Sequence, residues 1–132
     1  MDAGLTVADR TPPARPRPVE IAAPDTLLLV FSQAPDEDCA RRIADALVAE
    51  RLAACVNITP GMQSVYRWQG EVRRDTEVGL VIKTSASRFA ELAGRLKALH
   101  PYEVPEIVAV RPDAALPAYV SWAVAQVRKP LV

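Results

Sequence analysis

Few residues in this chain have side chains suited to chemistry. There is one histidine, His100, and there are two cysteines, Cys39 and Cys55. The cysteines form no C-x-x-C pair and the lone histidine forms no H-x-x-x-H pair, so spacing alone builds no metal centre. Cys39 falls near the start of a helix, where the helix dipole favours a thiolate, and it also reads simply as a small buried residue. Cys55 opens a strand after Ala53-Ala54 and reads as a core position. His100 stands before Pro101 at a helix end. There an imidazole either caps the last carbonyls or serves as a ligand or proton carrier. Tyr66 and Trp68, two positions apart on a strand, share one face. Glu77 and Lys83 share a face of the returning strand, as a buried polar pair or as surface charges. No Ser-His-Asp set, phosphate loop or dinucleotide fingerprint occurs, which argues against an enzyme of a familiar kind.

The elements that must position these residues are legible in the hydrophobic pattern. Cys55 to Trp68 is rich in Val, Ile, Thr, Tyr and Trp. Gln69-Gly70 supplies a turn, and Glu71 to Thr84 returns with Val78, Leu80 and Ile82 alternating. Fourteen residues per arm at about 3.3 Å each give roughly 45 Å. A domain of this size has a radius of gyration near 13 Å, so the outer half of the hairpin has no body beneath it. Val65, Tyr66 and Trp68 then need another surface, and a copy of the same chain supplies one.

Around the hairpin the pattern predicts a buried strand over Leu27–Phe31. A helix follows, opened by Ala34-Pro35-Asp36-Glu37-Asp38, with Pro35 in its first turn and an inward stripe of Ile43, Leu47 and Leu52 beside small Ala40 and Ala44. A second helix, capped by Ser85 or Ser87, carries Phe89, Leu92, Ala93, Leu96 and Leu99 and ends at His100-Pro101. Pro105–Val110 reads as a strand, and Pro117 starts a last helix with Tyr119, Trp122, Ala123 and Gln126 on one face. The order β-α-β-β-α-β-α is an α+β, ferredoxin-like sandwich with an extra C-terminal helix.

Composition excludes several classes. Sixteen basic and sixteen acidic residues cancel, leaving no basic stripe for nucleic acid. No apolar run approaches the ~18 residues of a membrane span. Residues 1–24 hold Pro12, Pro13, Pro16, Pro18 and Pro24 with three arginines and few large apolar groups. They read as a flexible arm, dispensable for folding, ahead of a single domain over 25–132. The absence of a signal-like hydrophobic segment favours the cytoplasm.

Six segments then become specific in combination: Ala34-Pro35-Asp36-Glu37, Leu52-Ala53-Ala54-Cys55-Val56-Asn57, Tyr66-Arg67-Trp68-Gln69-Gly70-Glu71, Lys83-Thr84, His100-Pro101-Tyr102-Glu103-Val104-Pro105-Glu106 and Tyr119-Val120-Ser121-Trp122. In this order they resemble the CutA family of divalent-cation tolerance proteins across residues 26–128. The resemblance implies a cytoplasmic homotrimer whose long hairpins link three ferredoxin-like sheets, associated with tolerance of copper and other divalent cations, with no defined catalytic activity. It places Tyr66, Trp68, Glu77, Lys83, His100, Tyr102 and Trp122 at or near an inter-subunit cleft. In copper-binding members a Cys precedes the first segment and paired His precede Pro-Tyr. Here Ser32-Gln33 and Leu99-His100 stand instead, so the soft ligands that select copper are mostly missing. The expectation is no resident cofactor, and copper or another divalent cation held weakly by His100 with Glu103 or Glu106 and water. The alternatives are a trimeric small-molecule or signalling module, and a structural trimer that anchors a partner protein.

Overall fold

The computed structural model describes residues 25–130; the expected arm over 1–24 lies outside them. Four strands form one antiparallel sheet in the order β2-β3-β1-β4. They are β1 (Leu27–Ala34), β2 (Cys55–Trp68), β3 (Glu71–Ser85) and β4 (Val108–Val110), and the helices are α1 (Glu37–Ala49), α2 (Phe89–Leu99) and α3 (Pro117–Gln126). This is the ferredoxin-like order, with α3 appended.

Even-numbered residues of β1, and of β3 from Val78 onward, face α1 and α2. Val30, Val78, Leu80 and Ile82 form one core with Ile43 and Leu47 of α1 and Leu92 and Leu96 of α2. α3 lies against β1 and β3 on the other face, where Leu27 and Ser85 are buried along with Ala123 of α3 and Val127 just beyond its end. Among the described residues, no helix lies over the rest of that face. Leu29, Phe31 and Val81 are only half-buried there, and Val108 and Val110 are exposed.

Four local features differ from the pattern-based expectation. β1 runs on to Ala34, and Pro35, without an N–H, ends it. α1 is then capped by Asp36, whose carboxylate accepts from the Cys39 N–H at 2.8 Å; Pro35 precedes the cap rather than sitting in the first turn. α2 is led in by a 3₁₀ turn, Ala86–Arg88, and the Ser85 side chain makes no capping bond. Its cap comes from across the sequence: Asp25 accepts from the Ser87 N–H at 3.1 Å and from the Ser87 hydroxyl. Burial works to raise the Asp25 pKa, but the hydroxyls of Ser87 and Ser85 and the N–H groups of Ser87 and Thr26 outweigh it and leave it lowered. The strand expected from Pro105 forms only at Val108–Val110; Pro105 has no N–H to give to a ladder, and the Glu106 side chain accepts from Gln33 at 2.9 Å.

The hairpin is as long as expected. Its turn residues Gln69 and Gly70 have φ of 51° and 80°, as the two-residue turn that matches strand twist requires. β1 pairs with β3 only from Val78 to Ser85, so Glu71–Glu77 has β2 alone beside it. Between Thr59 and Met62 the pairing shifts by one residue. Pro60 and Gly61, the latter at φ 78°, form a bulge there. The bulge reverses the parity of β2. Val56 and Ile58 pack on the core, whereas Tyr66 pairs with Arg73 and Trp68 with Glu71 on the opposite face.

Candidate functional site

The hairpin leaves the body at Val78, and the next residue outward, Glu77, sits in the crotch. Glu77 is buried, and its Oε2 accepts from the Tyr102 hydroxyl at 2.6 Å. Tyr102 is in turn set by His100, whose Nδ1 accepts the Tyr102 N–H at 3.1 Å; the two rings lie 4.6 Å apart. His100 Nε2 meets the Gln33 carbonyl at 2.6 Å. A carbonyl only accepts and an N–H only donates, so the ring is the Nε2–H tautomer with both nitrogens in use. Gln33 then donates through its side chain to Glu106. One network thus ties β1, the His100–Glu106 segment and the hairpin together.

These groups line a cleft of about 660 Å³ between the hairpin and the His100–Glu106 segment. Tyr66, Trp68, Glu77 and Tyr102 line it together with Gln33, Arg73, Glu103 and Glu106. Tyr66 donates its hydroxyl to Asp75. Of the expected cleft residues, His100 supports the wall from behind. Lys83 is elsewhere in the single chain, bonded to Asn57 and 3.6 Å from Cys55 Sγ. Trp122 lies beside Tyr119, with ring centres 5.7 Å apart and planes tilted by 40°, also apart from the cleft. Gln33, Arg73 and Asp75 were not singled out by sequence. A glutamine ending an apolar strand and charges on a strand facing Tyr66 were the available signals.

Burial, then the hydrogen bond to Glu77 and the neighbouring negative charges, raise the Tyr102 phenol well above the ordinary tyrosine value. Tyr66 is raised chiefly by its bond to Asp75. A group whose folded pKa is raised stabilises the fold fully below its ordinary pKa and loses that contribution as pH rises through the raised value. Alkaline titration followed near 295 nm should therefore show two tyrosines ionising above pH ~10. Tyr102→Phe should remove the later one. A Tyr102→Phe protein with an unchanged alkaline limb would disprove the assignment.

Cys39 is buried in the core and Cys55 lies on the sheet away from the cleft. The cleft itself presents carboxylates, phenols and an indole, groups that bind and orient. Among the described residues, no three of His, Cys, Asp and Glu come close enough to share a metal ion.

Fold and site together define a ferredoxin-like α+β protein with an overlong hairpin and a cleft at its root. A family model described as "CutA1 divalent ion tolerance protein" matches residues 28–126, and the chain belongs to that family. It is 54% identical over 94 residues, 71% of this chain and 91% of the relative, to the divalent-cation tolerance protein CutA of Thermus thermophilus. It is 38% identical to Protein CutA of mouse, over 89% of this chain and 68% of that one. A crystal structure of CutA from Xylella fastidiosa superposes with a TM-score of 0.75 at 44% identity, covering 77% of this chain and 98% of that one. A CutA from Archaeoglobus fulgidus, described as periplasmic, superposes at 0.75 with 34% identity over 78% of this chain and 100% of its own.

Proposed function

We propose that this chain acts as a cytoplasmic homotrimer in divalent-cation tolerance, without catalysing a reaction, and that the cleft at the hairpin root is its ligand site, completed by a neighbouring copy. The observation that carries this is the pairing of two unfinished surfaces. One is the half of the sheet face that no helix covers, with Val108 49% and Val110 41% exposed; the other is the outer hairpin, with Val65 at 62%. Exposed apolar side chains at both places suit contact with another protein surface. A ring of copies buries both in one operation. Analytical ultracentrifugation at micromolar concentration should give about three times the 14.3 kDa chain mass. A monomer would overturn the proposal.

Divalent cations in this reading bind weakly. The oxygen donors of Glu77, Glu103 and Glu106 are hard and favour no soft metal. A metal at His100 must first displace a protein hydrogen bond. Native mass spectrometry of the protein as isolated reads stoichiometry and any retained ligand in one measurement. A tightly bound metal at one per chain would refute weak binding.

A further inference from the structure

The cleft has a composition that selects a ligand class. Among the described residues that line it, the carboxylates Glu77, Glu103 and Glu106 are accompanied by one cation, Arg73, whose guanidinium leans on Glu71 at 3.8 Å. Glu77 is 9% exposed. It spends Oε2 on Tyr102, and among the described residues nothing donates to its Oε1. A carboxylate on a largely buried side chain, with one oxygen held by Tyr102 and the other left open to the cleft without a protein donor, favours a donor that carries positive charge. Beside it stand Tyr66 and Trp68, 40% and 37% exposed. Aromatic faces next to carboxylates hold a cation mounted on an apolar body. The acidic groups do not converge on one point, since no three could share an ion. Carboxylates spread along a cleft suit a molecule whose charges are separated by a greasy spacer.

We propose that the cleft binds a small linear aliphatic diamine or polyamine. One ammonium occupies Glu77 Oε1, the methylenes cross Tyr66 and Trp68, and a second ammonium reaches Glu103 and Glu106. This rests on the reading of the cleft as the ligand site.

The test is fluorescence titration of Trp68 in the full chain carrying Trp122→Phe, which leaves one indole. The probes are spermidine and 1,5-diaminopentane, with 1,5-pentanediol, glutarate and Mg²⁺ as comparisons. The amines should give a saturable signal that weakens with added salt, and the diol and glutarate none. Glu77→Gln should weaken amine binding by about tenfold or more, as loss of a charge-assisted contact does. The glutamine oxygen still accepts from Tyr102, so the melting temperature serves as the control for folding. If that variant does not fold, Glu103→Gln with Glu106→Gln on the exposed wall should weaken spermidine binding instead. Equal binding of diol and diamine, or amine binding indifferent to these substitutions, would overturn the proposal. Saturation by glutarate or Mg²⁺ but not by amines would overturn the ligand class and keep the cleft as a site. No saturation by any probe would overturn both.

Discussion

Val81→Asp should turn the proposed trimer into single chains that keep their far-ultraviolet spectrum. Val81 lies in mid-sheet, paired with Phe31 on one side and Asn57 on the other, and Phe31 pairs in turn with Val108. This row crosses the part of the face that no helix of the described residues covers. In an isolated chain Val81 is only half-buried, so a carboxylate there keeps part of its water. In the proposed trimer the same carboxylate is enclosed by apolar neighbours. An unpaired charge held that way costs several kcal/mol, about 3 or more, and the trimer contains it once per chain. Sedimentation should therefore fall to the 14.3 kDa chain mass, with a helix and strand signal like that of the parent. A variant that remains trimeric would place the interface on another surface. One that loses its fold along with its partners would show that the chain has no stable monomer.

What the sequence made legible follows from which interactions are local. Hairpin, helices and strand order came from periodicity and turn chemistry. Gln69-Gly70 announces a two-residue turn because few sequences tolerate two successive positive φ values. The Asp25 cap on α2 was not legible, because it joins residues far apart in sequence, and Ser85 and Ser87 offered a nearer candidate. The short β4 was hidden for the same reason: how far it pairs with β1 is a tertiary matter, and its ladder runs only from Val108 to Val110. The bulge was half-visible. Pro60-Gly61 inside a strand is a warning, yet only the register shows that it moves Tyr66 and Trp68 to the face opposite Val56 and Ile58. The cleft residues Tyr66, Trp68, Glu77 and Tyr102 were indicated by a family resemblance, and a single chain brings these four together. Lys83 and Trp122 came from the same resemblance and stand apart from them within one chain. Nothing in local pattern distinguishes a residue that lines a cleft from one that serves a contact between copies.

His100→Ala should destabilise the protein strongly while leaving divalent-metal affinity as it is. The ring is 7% exposed, and it spans two backbone groups from different parts of the chain. Its removal leaves the Gln33 carbonyl and the Tyr102 N–H without their partner. Each orphaned group costs about 1–3 kcal/mol when water cannot replace the bond, and the vacated ring adds a cavity. A total of about 3 kcal/mol is expected, read as a lower denaturant midpoint at fixed protein concentration. Tyr102 loses its orientation as well, so its hydroxyl should leave Glu77 and its alkaline ionisation should move back toward the ordinary tyrosine value. A metal ligand would behave differently. It would need a free lone pair, and the Nδ1 lone pair of His100 already accepts a hydrogen bond. Calorimetric titration with Cu²⁺ and Zn²⁺ should give no better than micromolar binding in both proteins, because one imidazole and scattered oxygens cannot complete a four-ligand site. If the variant stays folded, keeps its midpoint and loses metal affinity tenfold, the ring swings out to bind metal and its structural role is secondary. The coupled shift of midpoint and Tyr102 ionisation, at constant metal affinity, is the signature of a histidine that holds the cleft wall in place.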